Sequence, residues 1–154
     1  MSEPLSGKVV AIIAHGSPFD RAIAVALAQA GADVAIATWS PERDEEFATA
    51  SVANEVWAMG REQFSYVLDA SCETGLAAFG AETVARLGGC DALILADSPS
   101  TAMVIGSLLP AFVRGAGRDV ACLALGPAAP SSVVVLSTGR DAAVATAIAD
   151  SLRP

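Results

Sequence analysis

Positive charge is scarce in this chain. Its 154 residues include a single lysine, Lys8, and eight scattered arginines against 17 acidic residues, for a formal net charge of −8. Nucleic acids and anionic membrane surfaces are held by clustered lysine and arginine, so neither is expected as a partner. Histidine occurs once, as His15, and a lone imidazole without a carboxylate cluster makes a poor transition-metal site. The three cysteines, Cys72, Cys90 and Cys122, stand 18 and 32 residues apart. That spacing supplies no metal-ligand pair and the odd number supplies no disulfide framework. They read as small buried hydrophobes in a reducing compartment. No apolar run reaches the roughly 18 residues of a membrane span. The opening Met1-Ser2-Glu3-Pro4 lacks the basic and apolar regions of a secretory leader, so the expected location is the cytoplasm.

Apolar residues are the abundant class. At 53% hydrophobic against 17% charged, the composition excludes disorder and implies apolar surface buried in self-association. Short continuous runs at residues 9–14, 34–38, 64–68, 92–96, 120–125 and 133–136 are rich in Val, Ile, Leu and Ala, as in parallel strands covered on both faces. Segments 21–30, 42–60, 73–87, 101–115 and 141–152 are read as helices. In the third, Leu76, Phe79, Thr83, Val84 and Leu87 fall on one helical face. Strands separated by helices predict right-handed βαβ units. The expected fold is a Rossmann-like three-layer α/β domain over residues 1–154, a doubly wound parallel sheet of strand order 3-2-1-4-5-6. Ligands of such sheets bind beyond the carboxyl ends of the strands, at the switch between strands 1 and 4. The rim residues are then 15–20, 38–43, 69–72 and 97–100, with the turns after strands 5 and 6.

The stretch Leu5-Ser6-Gly7-Lys8-Val9-Val10-Ala11-Ile12-Ile13, followed by residues 21–36 (RAIAVALAQAGADVAI), resembles the start of the short-chain dehydrogenases/reductases. The likeness continues through Leu68-Asp69, residues 91–95 (DALIL), Leu109-Pro110 and Gly117-Arg118-Asp119-Val120, covering roughly residues 5–125. The resemblance implies a Rossmann-like fold, NAD(P)-dependent oxidoreduction and assembly as dimers or tetramers. Yet the positions that carry the family's function depart from its pattern. The glycines of its first turn, T-G-x-x-x-G-x-G, fall here on Ala14, Pro18 and Asp20. Proline removes an N–H that would face a diphosphate. Ser17, Pro18 and Asp20 instead read as a self-capping helix start, with the Asp20 carboxylate on the free N–H groups. A coenzyme diphosphate about 4 Å from that charge would be repelled by about 4 kcal/mol at an effective dielectric near 20, roughly a thousandfold in affinity.

Other positions depart in the same way. After strand 2 the chain has Thr38 and Trp39 where a ribose-binding acid would stand, and strand 4 ends Leu95-Ala96-Asp97-Ser98 instead of N-N-A-G. Arg43 stands among Glu42, Asp44, Glu45 and Glu46 and is expected to pair on a solvated helix start. Asp69 matches the family's adenine-side aspartate and equally suits a cap for the following helix. The family's catalytic Tyr-x-x-x-Lys pair cannot be made from Tyr66 and Lys8, the one tyrosine and the one lysine. His15 is the remaining weak catalytic candidate, as a base near Asp97 or Ser98. Ser137-Thr138-Gly139-Arg140 ahead of the last helix suits either an N-cap or a small-anion site.

The chain is accordingly expected to be a shortened, non-catalytic relative of that family. It would act as a homodimer or homotetramer through the 101–115 helix, or as a partner subunit of an active enzyme, with no cofactor. The alternative is a module that binds NAD or NADP at a non-standard site made of Gly16, Ser17, Trp39, Asp69, Asp97 and Ser98. A hydrolase or isomerase built on His15 is a third, weaker reading.

Overall fold

The computed structural model describes residues 3–14, 16, 18–69, 72–96, 109–118, 120–125, 134–137 and 148. Their elements are β1 (Val9–Ala14), α1 (Pro18–Gln29), β2 (Asp33–Thr38), α2 (Arg43–Ala58), β3 (Gln63–Tyr66), α3 (Glu73–Leu87), β4 (Ala92–Ala96), α4 (Leu109–Ala116), β5 (Ala121–Leu125) and β6 (Val134–Ser137). The six strands form one sheet in the order β3-β2-β1-β4-β5-β6. β1 lies at its centre, parallel to β2 on one side and to β4 on the other, and every residue of β1 is buried.

Alternate residues of each strand feed two separate cores. Val10, Ile12, Val34, Ile36 and Ile94 face α1 and α2, together with the helical residue Ile148. Ala11, Ile13, Ala35, Ala37, Leu93 and Leu95 face α3 and α4. Size is exchanged across β2: its valine and isoleucine meet alanines Ala24, Ala28 and Ala53 on one side, while its alanines face the phenylalanine side on the other. There Phe79 stacks near Phe64, Tyr66 and Phe112, with ring centroids 6.1, 5.4 and 5.6 Å away. Such alternation of large and small side chains lets helices lie close to a sheet at crystal-like density. The result is the three-layer, doubly wound α/β arrangement expected from the sequence.

Several expectations are corrected in detail. β6 runs antiparallel to β5, with an irregularity at Cys122/Leu123, so the sheet is not parallel throughout. The reason is connection length. A parallel crossover needs about a dozen residues or more, and residues 126–133 are too few. The third strand stops at Tyr66. Val67 turns outward, 46% exposed, and Leu68 leaves the ladder for a side-chain clasp described below. The first helix begins at Pro18, as its proline at the first helical position allows. Cys72 is exposed, whereas Cys90 and Cys122 are buried, because Cys72 sits at the rim ahead of α3 and the other two lie within the sheet layer. Of the helix expected at 101–115, only α4 lies within the described residues, and of that at 141–152 only Ile148 does.

α3 and α4 touch backbone to backbone. A Cβ on Gly115 would sit 1.9 Å from the Ala77 carbonyl oxygen, and one on Gly80 would sit 2.5 Å from that of Phe112. Glycine at these positions is therefore a packing requirement, despite its cost of about 1 kcal/mol in helix propensity. Gly115→Ala is expected to lower stability by about 2 kcal/mol, the overpacking cost exceeding the propensity gain. Urea unfolding measures it, and a variant as stable as the parent would contradict the close crossing.

Candidate functional site

The carboxyl edge of β1, β2 and β3 is where a doubly wound sheet offers space to a ligand. Within the described residues this edge is tied together by side chains. The buried Thr38 hydroxyl, at the last position of β2, donates to the Leu68 carbonyl at 2.9 Å and accepts from the Leu68 N–H at 2.8 Å. It therefore stands in for a ladder pair and holds the segment after β3 against β2. This is what the absence of an acid at that place means structurally: Thr38 is a clasp.

Trp39 and Ser40 follow. The Trp39 N–H is shared between the Ala14 carbonyl at 2.8 Å and Glu45 Oε1 at 3.0 Å. Ser40 donates its N–H to Glu45 Oε1 at 3.1 Å and its hydroxyl to Glu45 Oε2 at 2.5 Å. A single carboxylate thus takes two main-chain donors and one hydroxyl. Glu45 is the third residue of α2, whose N-cap, Glu42, makes no side-chain cap bond. Acidic residues in a first turn are favoured by the helix dipole, and Glu45 adds a direct link between α2 and the end of β2. The sequence signal was present, since glutamate at the third helical position is the reach-back residue of a capping box. Among Glu42, Asp44 and Glu46 it reads in sequence only as part of a charged helix start. Arg43 is exposed and makes no ion pair among the described residues, so the pairing expected of it does not occur there.

Gly16 adopts φ +84°; it stays exposed, with the first turns of α2 beside it. A Cβ at Gly16 would be 3.4 Å from Ala48 Cβ and 3.5 Å from Glu45 Cα. Next to it α1 starts at Pro18, and Asp20 is buried in the first turn, 1% exposed. The remaining predicted site residues fall as follows. Trp39 is half-buried against the α3/α4 core. Asp69 is exposed, its carbonyl accepting the Cys72 N–H at 3.0 Å, and the N-cap of α3 is Cys72. The structure therefore groups Gly16 and Trp39 around Glu45, while His15, Ser17, Asp97, Ser98 and residues 138–140 lie outside the described residues. Tyr66 ends β3 at the carboxyl edge, in register with Ala37. Lys8 precedes β1 at the opposite edge, so the two are not a catalytic pair.

Next to Gly16, α1 and α2 bound a groove of about 430 Å³ lined by that residue, Pro18, Arg21, Phe47, Ala48, Ser51, Val52 and Glu55. Arg21 and Glu55 make a two-pronged ion pair across it at 2.8–3.0 Å, which raises the guanidinium pKa further. Phe47 is 78% exposed. Among the described residues no group of three or more His, Cys, Asp or Glu could hold a metal ion, and no helix is long and apolar enough to cross a membrane.

The thiols differ sharply. Burial, with a smaller contribution from Asp91, pushes Cys90 up to about 12, and burial alone pushes Cys122 up to about 12.

With this geometry described, comparisons with known proteins place the fold. No family profile and no curated protein matches the chain. Solved structures do. A hydroxysteroid dehydrogenase from Escherichia coli aligns with TM-score 0.64 at 20% identity over 81% of this chain and 60% of its own. A 7α-hydroxysteroid dehydrogenase complexed with NADH and 7-oxo glycochenodeoxycholic acid aligns with TM-score 0.66 at 20% identity over 95% of this chain and 63% of its own. A short-chain type dehydrogenase/reductase from Mycobacterium marinum gives 0.62 at 19% identity, over 97% and 68%. The chain thus has the Rossmann-like fold of the short-chain dehydrogenases, as the sequence resemblance implied, and it spans about three fifths of the length of the first two.

Two outcomes test this description. Thr38→Val, which keeps the shape and removes the hydroxyl, strands the Leu68 N–H and carbonyl and should cost about 2–3 kcal/mol, whereas Thr38→Ser should cost much less. Equal stability of the two variants in urea would show that the clasp contributes nothing. Because thiolates are the reacting species, a disulfide reagent at pH 8 should label one cysteine rapidly in the native protein, Cys72, and all three after unfolding. Rapid labelling of three would contradict the burial of Cys90 and Cys122.

Proposed function

We propose that this chain is a non-catalytic Rossmann-like domain of the short-chain dehydrogenase type, working as an oligomeric structural subunit or as the partner subunit of an active enzyme. The observation that carries the reading is the occupied carboxyl edge. Where the fold would receive a dinucleotide, Glu45 holds the donors after β2, and the first turn of α1 contains Pro18 and the buried carboxylate Asp20. A diphosphate entering at the start of α1 meets a fixed negative charge and lacks one N–H. On this reading Pro18, Asp20 and Glu45 disfavour a dinucleotide at the described part of the edge. Oxidoreductase catalysis by this chain alone is disfavoured further because Tyr66 and Lys8 stand at opposite edges of the sheet.

Self-association is the second half of the proposal. The buried residues of α4, Ala111, Phe112 and Ala116, lie in the core shared with α3, Leu109 and Val113 are half-buried against it, and the exposed positions are Pro110 and Arg114. The rest of the 101–115 segment, to which we assign a homodimer or homotetramer contact, lies outside the described residues. The alternative of an NAD- or NADP-binding module is favoured by one specific finding, the NADH carried by a structure of the same fold.

A thermal-shift titration separates the two. A dinucleotide at 100 times its dissociation constant stabilises by about 2.7 kcal/mol, several degrees for a domain of this size. We expect no shift with NAD(H) or NADP(H) at millimolar concentration, and sedimentation of the same sample as a dimer or larger. A saturable shift would replace the proposal by its alternative, and a monomer at micromolar concentration would remove its assembly half.

A further inference from the structure

β3 closes one side of the sheet, and among the described residues nothing pairs with its outer side. Which of its main-chain groups are open follows from those in use. Glu62 bonds toward β2 twice: its carbonyl accepts the Val34 N–H at 3.1 Å and its N–H donates to Asp33 Oδ1 at 3.1 Å. Leu68 bonds the same way to Thr38. Main-chain groups of successive strand residues point to alternate sides, so Gln63, Ser65 and Val67 turn their N–H and C=O groups to the open edge. The Thr38 clasp keeps Leu68 in line with β2 and so lengthens an edge that the ladder alone ends at Tyr66. Residues 63–68 (QFSYVL) contain no charge and no proline, the residues that ordinarily keep sheet edges from pairing.

We infer that this edge pairs with the same edge of a second copy, antiparallel about a twofold axis at Ser65, so that two sheets continue as one. The inference rests on the self-association half of the reading above and gives it a surface apart from the 101–115 segment. With Ser65 opposite its own counterpart, Gln63 stands opposite Val67, and all the outward groups of the strand find partners. Registers displaced to either side call on groups already engaged: the Arg61 N–H, which donates to the Val56 carbonyl, or the Asp69 carbonyl, which accepts the Cys72 N–H. Charge agrees with the same register. Arg61, whose Nε and Nη2 hold the Ala28 carbonyl and Glu3, comes opposite Asp69 of the second copy, and no like charges face each other. For a chain of net charge −8, an uncharged strip is where two copies approach without repulsion. Phe64 and Tyr66 lie on the α3 side, and each meets the other's counterpart, an aromatic cross-strand pair. On the α2 side, Val67 and Trp57 are 46% and 68% exposed. Ala48, Val52 and Glu55 line the groove with α1, and helical spacing puts Trp57 on the opposite flank of α2, toward the open edge.

Ser65 is exposed, and a charge placed on the axis faces itself. Sedimentation velocity at micromolar concentration compares the unaltered chain, Ser65→Lys, Ser65→Glu, Ser65→Thr and an equimolar mixture of the two charged variants; circular dichroism establishes the fold of each. We expect Ser65→Lys and Ser65→Glu each to lose one association step, halving the mass of the assembly and weakening that step at least about tenfold. The mixture should restore it, and Ser65→Thr should keep it. The Ser65 amide should exchange slowly with deuterated water in the unaltered assembly and rapidly in Ser65→Lys. Charged variants that assemble to the same mass as the unaltered chain overturn the inference and leave the 101–115 contact standing. A loss that the mixture does not restore also overturns it, since the two Ser65 positions then do not face each other. Charged variants that fall to monomers and recover on mixing support the edge and remove the 101–115 contact instead. A monomeric unaltered chain overturns both, and none of these outcomes bears on the non-catalytic half of the proposed function.

Discussion

A carboxylate held by two main-chain N–H groups and a hydroxyl is a fixed negative charge, and the rim of this sheet is organised around one. Glu45 draws the first turn of α2 onto the end of β2. That position puts Ala48 and Glu45 beside the exposed Gly16. Charge-assisted hydrogen bonds of this kind are shorter and roughly twice as strong as neutral ones, so the link is not easily exchanged for water. Thr38 performs the matching task one strand further out, holding Leu68 through both of its main-chain groups. Glu45 thus fastens the connection from β2 to α2, and Thr38 joins the end of β2 to the segment after β3.

The same sheet edge is the place where this architecture ordinarily receives ligands, because the first helix points its positive end there and the strand order reverses beside it. The fold is shared with hydroxysteroid and other short-chain dehydrogenases at TM-scores of 0.62–0.66. The Rossmann-like core is built here by the alternation of alanines against phenylalanines and of isoleucines against alanines. Fold does not imply function, and the rim is where function must be argued.

Much of the architecture was legible in the sequence. Strand order, the limits of α3 and β4, and the stripe through Leu76, Phe79 and Thr83 follow from continuous apolar runs and helical spacing, signals that burial on both faces produces. The direction of β6 needed a length argument that the apolar run at 133–136 does not contain, namely that residues 126–133 cannot form a crossover. Cys72 was misread because a cysteine's burial depends on whether it falls within the sheet or at its rim, which composition does not report. The site was less legible. Pro18 and Asp20 announce an altered first turn by themselves, since their effect is local. Thr38 and Glu45 do not, because the partner of one lies 30 residues away across the sheet and the partners of the other precede its helix. Threonine ending a strand and glutamate opening a helix are ordinary letters until the fold brings their partners within 3 Å.

The most direct examination of the central idea is a two-dimensional amide NMR spectrum of isotopically labelled protein, recorded while NADPH is raised to millimolar concentration. If Glu45 occupies the donors, the Trp39, Ser40 and Gly16 amide signals stay where they are. A saturable displacement of those three signals, with others unmoved, would mean that the coenzyme takes the place assigned here to the chain's own carboxylate.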